Sequence, residues 1–291
     1  MNSAVARAIE CIWERYGEPL IIADLASSAI LSKYHFCRTF VRATGVSPGR
    51  FLSAVRIYQA KRLLLSSSMN VTDISFSVGF NSLGSFTNHF TESVGISPGR
   101  FRRMALGDGF EFPGPPSPPL TSSGTVSGTI TLPKGHAIAT VYVGVFQSAI
   151  LQGWPQAATV LQLKSPGQWH AFKLHVRPGE WFVHVVAVAD TIDPEPWNRR
   201  VLLVARSGPV RATDGARIGA GLSLRPVRPT DPPILFALPE LDSMLDQISA
   251  QRAQFRHPDA LAGALMGSGG CELRREAGCP AQRKPESLRP G

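Results

Sequence analysis

Tyr34, Cys37, Arg38 and Val41 recur at intervals of three and four, so a helix would bring them onto one face. A guanidinium on such a face can hydrogen-bond guanine O6 and N7 together, and that is the commonest specific contact in a DNA major groove. Gly84, Thr87, Asn88 and Thr91 repeat the spacing fifty residues further on. The Asn88 amide carries the donor–acceptor pair that matches adenine N6 and N7, and Thr87 can meet a thymine methyl or a phosphate. Lys33, Arg42, Arg102 and Arg103 add cations suited to phosphate oxygens, which position a duplex without specifying its sequence.

These side chains face outward only if something anchors the opposite face of each helix. Phe36 and Phe40 do so in the first segment, Phe86 and Phe90 in the second. The anchoring frame is itself duplicated. "TGVSPGRF" (Thr44 to Phe51) returns as "VGISPGRF" (Val94 to Phe101), and Leu25-Ala26 corresponds to Ile74-Ser75. Two copies are too few for a solenoid. They imply paired helix–turn–helix units, each closed by Gly45 or Gly95 and followed by a Ser-Pro helix start. Ser32, Ser47 and Asn70 are placed as N-caps, with Asp73 completing a partial capping box after Asn70. "PGRFLSAVRIYQAKRLLLSS" is long and apolar on more than one side, as expected of a helix buried between two bodies.

Charge agrees with an anionic partner. The formal net charge of the 291-residue chain is +9, and residues 1–107 carry 12 Lys/Arg against 6 Asp/Glu. Residues 108–250 are balanced at 11 each, and residues 251–291 carry 7 against 4. No apolar run reaches the roughly 20 residues of a membrane helix, and the first segment reads as an amphipathic helix rather than a signal peptide. Cys11, Cys37, Cys271 and Cys279 have no C-x-x-C spacing and read as free thiols of a reducing cytoplasm.

Residues 3–104 resemble the DNA-binding domain of the AraC/XylS family of bacterial transcription regulators. The resemblance rests on "DLA…LSKYHFCRTFVRATGVSP", "RIYQAKRLLLSSSMNVTDISFSVGF" and "FTNHFTESVGISPGRFRR". It implies seven helices, with two helix–turn–helix units joined by the long helix and a recognition helix from each entering adjacent major-groove segments. Carried over by position, the base-reading residues are Tyr34, Cys37 and Arg38, then Leu83, Gly84, Ser85, Thr87 and Asn88. Four positions depart from the family, Cys37 among them as a poor hydrogen-bond reader. Ile21 stands where Ser or Thr often caps the second helix, Asn88 where Arg is usual, and Gly84 where a larger residue is usual. The first unit is therefore expected to dominate specificity.

Beyond residue 107 the period changes from helical to two. The Pro/Gly-rich stretch 107–123 reads as a stiff linker. "GTVSGTITL", "AIATVYVGVFQ", "WHAFKLHVR", "EWFVHVVAVAD" and "VLLVA" read as strands, and "FVHVVAVA", apolar on both faces, as a central one. Residues 124–250 are expected to form an all-β sandwich that senses a ligand or mediates dimerisation. "GTVSGTITLP" and "FKLHVRPGEWFVHVVAVAD" are similar to carboxypeptidase regulatory-like, prealbumin-like sandwiches, which implies a non-catalytic module. Trp154, Trp169, Trp181 and Trp197 could line a pocket or simply fill the sandwich. "RPVRPTDPPILFALP" reads as a closing extended segment that docks the last strand, and residues 251–291 as a largely disordered tail.

The fold class expected is thus two domains: an all-α double helix–turn–helix over residues 1–106, then the β-sandwich. No metal-ligand spacing, nucleophile motif or cofactor signature appears, so no cofactor, metal or catalytic residue is assigned. Double-stranded DNA is the expected partner. A small-molecule effector, RNA polymerase and a second copy of the chain are compatible further partners, and a membrane is not. The function expected is a cytoplasmic bacterial transcription factor of the AraC family. The alternatives are an enzyme or carbohydrate-binding module with a DNA-binding appendage, and an architectural binder.

Overall fold

The computed structural model describes residues 3–105, 124–134, 136–164, 167–191 and 200–237. The linker expected over 107–123, residues 238–250 of the expected β domain, the tail over 251–291, Trp197, Cys271 and Cys279 lie outside the described residues. All described residues belong to one unit, Met1–Arg256.

Seven helices come first: α1 (Ser3–Arg15), α2 (Ile22–Ser28), α3 (Lys33–Thr44), α4 (Pro48–Ser66), α5 (Val71–Ser77), α6 (Leu83–Val94) and α7 (Pro98–Ala105). Most of their ends follow the sequence signals, but Ser32, expected to cap α3, precedes it without a side-chain capping bond. Gly45 and Gly95 close α3 and α6 with φ of 79° and 96°, a left-handed backbone that costs glycine nothing. The Ser47 hydroxyl accepts from the Arg50 amide, with Pro48 inside the first turn of α4. Asn70 Oδ1 accepts from the Asp73 amide at 2.7 Å. Ile21 offers no side-chain cap to α2, but Asp24 Oδ2 accepts the Ile21 amide at 2.9 Å and supplies the other half of the box.

The duplicated octapeptide has a packing reason. Phe51, from the first copy, meets Phe40 edge-on at 5.5 Å between centroids, and Phe40 meets Phe36 at 5.4 Å. Phe101, from the second, meets Phe90 at 5.7 Å, and Phe90 meets Phe86 at 5.6 Å. Edge-on contacts suit the ring quadrupoles. All six rings are wholly buried, so each Ser-Pro-Gly-Arg-Phe delivers one ring beneath the helix that precedes it. Between the units runs α4, whose buried residues Phe51, Leu52, Val55, Tyr58, Lys61 and Leu64 are spread around the helix rather than along one stripe.

The C-terminal region is rich in strands, arranged in two sheets: β1 (Gly124–Thr131), β2 (His136–Phe146), β3 (Ala157–Leu163), β4 (Trp169–Val176), β5 (Gly179–Thr191), β6 (Arg200–Ala212), β7 (Arg217–Gly221) and β8 (Arg225–Pro226). One sheet has the order β4-β1-β7, the other β3-β2-β5-β6-β8. The strand β5 is central, paired antiparallel with β2 and β6. Its alternation divides two cores, because successive strand residues point to opposite faces. Val183, Val185, Ala187 and Ala189 join Val126, Ile130, Phe172 and Leu174 of the three-stranded sheet in one apolar cluster. Val186 and Val188 join a second cluster that also holds Phe40, Val55, Phe90 and Phe101 of the helices. The strand-rich region therefore shares a continuous apolar core with the helical one. The short strands β3, β7 and β8 were not among the runs expected from sequence, and Arg177-Pro178 leads from β4 to a strand of the other sheet.

The closing segment behaves differently from expectation. It pairs with the last long strand only at Arg225-Pro226, opposite Val204 and Leu203. It then turns away, pinned by a bidentate Arg225–Asp231 ion pair with both contacts at 2.7 Å, and Ile234 to Ala237 pack into the core shared with the helices.

Candidate nucleic-acid interface

The two outward faces lie on α3 and α6, and the anchoring phenylalanines fix which side each presents. On α3, Tyr34 is 74% exposed and Arg38 is exposed, while Phe36 and Phe40 are fully covered. The Arg38 guanidinium lies over the Tyr34 ring, 5.7 Å from its centroid, a cation–π arrangement that limits the wandering of a long side chain. Cys37 is half-buried beside them, and His35, Val41 and Arg42 are exposed on the same helix. Cys37 carries a free thiol.

On α6, Leu83, Gly84, Ser85 and Asn88 are exposed and Thr87 is half-buried. The Ser85 amide donates to the capping Ser82 hydroxyl at 3.2 Å. A Cβ built on Gly84 would meet no atom within 4 Å, so the surface is open at this position. The structure thus brings Tyr34, Cys37 and Arg38 together on one helix, and Leu83, Gly84, Ser85, Thr87 and Asn88 together on the other.

The four cations differ in their surroundings. Lys33, Arg42 and Arg103 are exposed. Arg102 is half-buried and donates from Nε to the Leu64 carbonyl at 3.2 Å and from a terminal nitrogen to the Met69 carbonyl at 2.6 Å. Those bonds close the C-terminal end of α4, where unpaired carbonyls accumulate.

Sequence reading missed the residues that hold the two faces in place from behind. Arg206 of β6 donates to the Ala149 carbonyl at 2.7 Å and to the Thr44 carbonyl, at the end of α3, at 3.3 Å. The Gly153 amide donates to the Ser93 carbonyl at 2.7 Å, and the Ala237 amide to the Val94 carbonyl at 3.1 Å, both at the end of α6. Lys61, at the centre of α4, donates to the carbonyls of Leu235 and Phe236 at 3.1 and 3.3 Å. The apolar run "PPILFALP" was the one sequence signal for this docking, because an exposed tail has no need of Ile, Leu and Phe in succession.

Among the described residues, Trp154, Trp169 and Trp181 do not converge on one pocket. Trp169 is 68% exposed at the start of β4, Trp181 is buried with its indole N–H on the Arg177 carbonyl at 2.9 Å, and Trp154 packs edge-on against Phe236 at 5.5 Å. His170 and His175 lie on β4 with His170 half-buried and His175 exposed. Among the described residues no group of three His, Cys, Asp or Glu could hold a metal ion, and no helix is long and apolar enough to cross a membrane. His184 is buried beneath the shared core, and its Nε2 lies 2.8 Å from the Ser148 carbonyl. Burial, with a smaller contribution from the Arg206 charge, pulls its pKa down to about 4.

Seven helices with two equivalent outward-facing helices define a double helix–turn–helix domain. The family model described as a helix-turn-helix domain matches residues 25–104, and the N-terminal region is a helix–turn–helix domain of the AraC family. The chain is 29% identical over 102 residues to the lactose operon transcription activator of Staphylococcus xylosus, an overlap of 35% of this chain and 37% of that protein. It is similar to the DNA-binding domain of AdpA, solved in complex with a target DNA, at 30% identity, covering 36% of this chain and 95% of that one with a TM-score of 0.35. It is also similar to a transcriptional regulator of Chromobacterium violaceum described as containing an AraC-type DNA-binding domain, at 25% identity, covering 37% of this chain and 96% of that one with a TM-score of 0.33. The chain spans little more than a third of the length of the Staphylococcus activator.

Proposed function

We propose that the chain is a sequence-specific DNA-binding transcription regulator that reads adjacent major-groove segments with α3 and α6. The observation that carries the reading is the pair of matched helices, each anchored by two buried phenylalanines and each presenting polar side chains outward, within an AraC-family domain. Tyr34, Cys37 and Arg38 read one segment, and Leu83, Gly84, Ser85, Thr87 and Asn88 the next. Lys33, Arg42 and Arg103 contact phosphates. Arg102 joins them only by giving up the carbonyls of Leu64 and Met69.

The two sheets are read as a β-sandwich that regulates the helical domain, through an effector or a second copy of the chain. The reading assigns the chain no catalytic activity and places it in the cytoplasm, where it would act with RNA polymerase at the promoters it binds.

The test is selection of duplexes from a randomised library by the full chain, followed by titration of the recovered sites at several salt concentrations. A recovered site holds two conserved elements about 10 base pairs apart, and its affinity falls steeply as salt rises, because bound cations release counterions from the phosphates. Recovery of no preferred sequence, or an affinity indifferent to salt, overturns the reading.

A further inference from the structure

Among the contacts between the strand-rich region and the helices, one set falls at equivalent places on the two units. Each outward helix ends in a glycine with a left-handed backbone, and each of these glycines is covered by one side chain from the strand-rich region. A Cβ on Gly45 would stand 2.5 Å from a terminal nitrogen of Arg206, and a Cβ on Gly95 would stand 3.3 Å from the Trp154 ring. The carbonyls exposed at these helix ends are taken in the same way: Thr44 by Arg206, Ser93 by the Gly153 amide and Val94 by the Ala237 amide.

A helix end leaves its last four carbonyls without intrahelical donors. The Gly45 and Gly95 amides satisfy one each, at Val41 and Thr91. In a freestanding domain the remaining carbonyls would turn to water, which imposes no geometry. Here a single rigid body supplies the donors to both helices. The Arg206 guanidinium also sets a positive charge at the negative end of the α3 dipole. The reading candidates Tyr34 and Arg38 lie in the first half of α3, about 15 Å and about 9 Å from Thr44 at the ordinary helical rise, so the grip leaves them accessible.

Resting on the reading of α3 and α6 as base-reading helices, we propose that the strand-rich region is a brace that fixes their separation and thereby selects the spacing of the two DNA elements. Arg206, Trp154 and the backbone amides of Gly153 and Ala237 are positioning groups in this scheme. They touch no base, yet they set which spacing is bound. A regulator tethered by a linker alone would contact neither helix end, and one docked for stability alone would have no reason to meet both glycine caps. The duplicated units are gripped at corresponding points by a region that is not itself duplicated.

The experiment uses the full chain and duplexes carrying the selected site, with the two elements moved one base pair closer or further apart. The wild type is expected to discriminate against each altered spacing about tenfold. Arg206→Gln, which removes the charge and the reach to Thr44, and Ala237→Pro, which removes the amide bonded to Val94, are expected to reduce that discrimination to about threefold or less. Base preferences within each element stay unchanged, and Arg206→Lys recovers part of the discrimination. If both variants melt cooperatively and keep the wild-type spacing discrimination, the brace is overturned. Should Ala237→Pro fail to fold, Arg206→Gln decides the question alone, because Arg206 lies at the exposed rim of the contact. A wild-type chain that prefers no sequence overturns the base-reading assignment and the brace with it, whereas a wild type with a clear site and variants of unaltered spacing overturns the brace only.

Discussion

Lys61, wholly buried at the centre of α4, places its ammonium 3.1 Å from the carbonyl of Leu235, a residue 174 positions further along the chain. The Phe236 carbonyl lies at 3.3 Å, and the Phe101 ring centroid at 5.3 Å from Nζ. A buried ammonium is costly unless its donors are matched. Here carbonyls and an aromatic face supply the match, and the result ties the segment after β8 to the helix that joins the two units.

Lys61→Met retains the aliphatic stem and removes the donors. Hydrogen bonds to a charged group contribute about 1.5–3 kcal/mol each, and desolvation of the ammonium offsets part of that gain, so the substitution is expected to lower the free energy of unfolding by about 2 kcal/mol. Urea denaturation of the full chain measures this. An increase in stability would show that desolvating the ammonium outweighs the bonds it makes.

His184 predicts a dependence on acid. Its Nε2 faces a carbonyl, which can only accept, so Nε2 carries the proton and the folded ring is neutral. Its pKa falls from 6.5 to about 4 on folding, because burial and then the Arg206 charge disfavour the cation. Between those values the unfolded chain binds more protons than the folded one, so stability rises with pH across the window. The contribution is complete above pH 6.5 and is lost as the pH falls toward 4. From pH 7 to pH 5 the loss from this group is about 2 kcal/mol. Urea titrations at the two pH values, on the wild type and on His184→Gln, should differ by that amount, since the glutamine amide does not titrate. Equal pH slopes for the two proteins would contradict the assignment.

Much of the helical region was legible because its signals are local. Gly45, Gly95, Pro48, Asn70 and the phenylalanine pairs act within a turn or two of their own position, and the duplication made each visible twice. The face on which Arg38 and Asn88 lie follows from helical period alone. In the strand-rich region, alternation exposed β5, whose residues are buried on both faces. It missed β3, whose "AATVLQL" is half exposed as an edge strand, and β7 and β8, which are too short to establish a period. The grip on the helix ends was illegible for a different reason. It is made largely by backbone amides at Gly153 and Ala237, which carry no sequence signature, and by Arg206, whose partner lies 162 residues away.

Two glycines on the outward helices separate backbone need from empty space. At Gly45, φ is 79° and the Arg206 guanidinium occupies the position a Cβ would take. Gly45→Ala is expected to cost about 1–2 kcal/mol from the left-handed backbone, and more from displacing Arg206. Gly84 sits near the start of α6 with nothing within 4 Å of a built Cβ. Gly84→Ala should therefore raise stability by about 0.5–1 kcal/mol. Thermal denaturation of the two variants beside the wild type should move the midpoint in opposite directions, and a fall for Gly84→Ala would show that α6 needs glycine there for a reason other than space.

The two outward helices should contribute unequally to base recognition. Arg38 can form a bidentate contact with guanine, and its stacking over Tyr34 limits the freedom lost on binding. Arg38→Ala is expected to weaken binding by about 1–3 kcal/mol and to relax the preference at one base position. Tyr34→Ala should reproduce part of that loss at the same position, because it frees the guanidinium. Asn88→Ala should cost less, since Gly84 beside it supplies no side chain and Thr87 is half-buried. Lys33→Ala should weaken specific and non-specific duplexes alike and lower the salt slope by about one counterion, as expected of a phosphate contact. Titration of each variant against a panel of single-base changes in the selected site distinguishes these outcomes. If Arg38→Ala leaves every base preference intact while Asn88→Ala abolishes one, the second helix leads and the assignment of specificity to α3 is wrong.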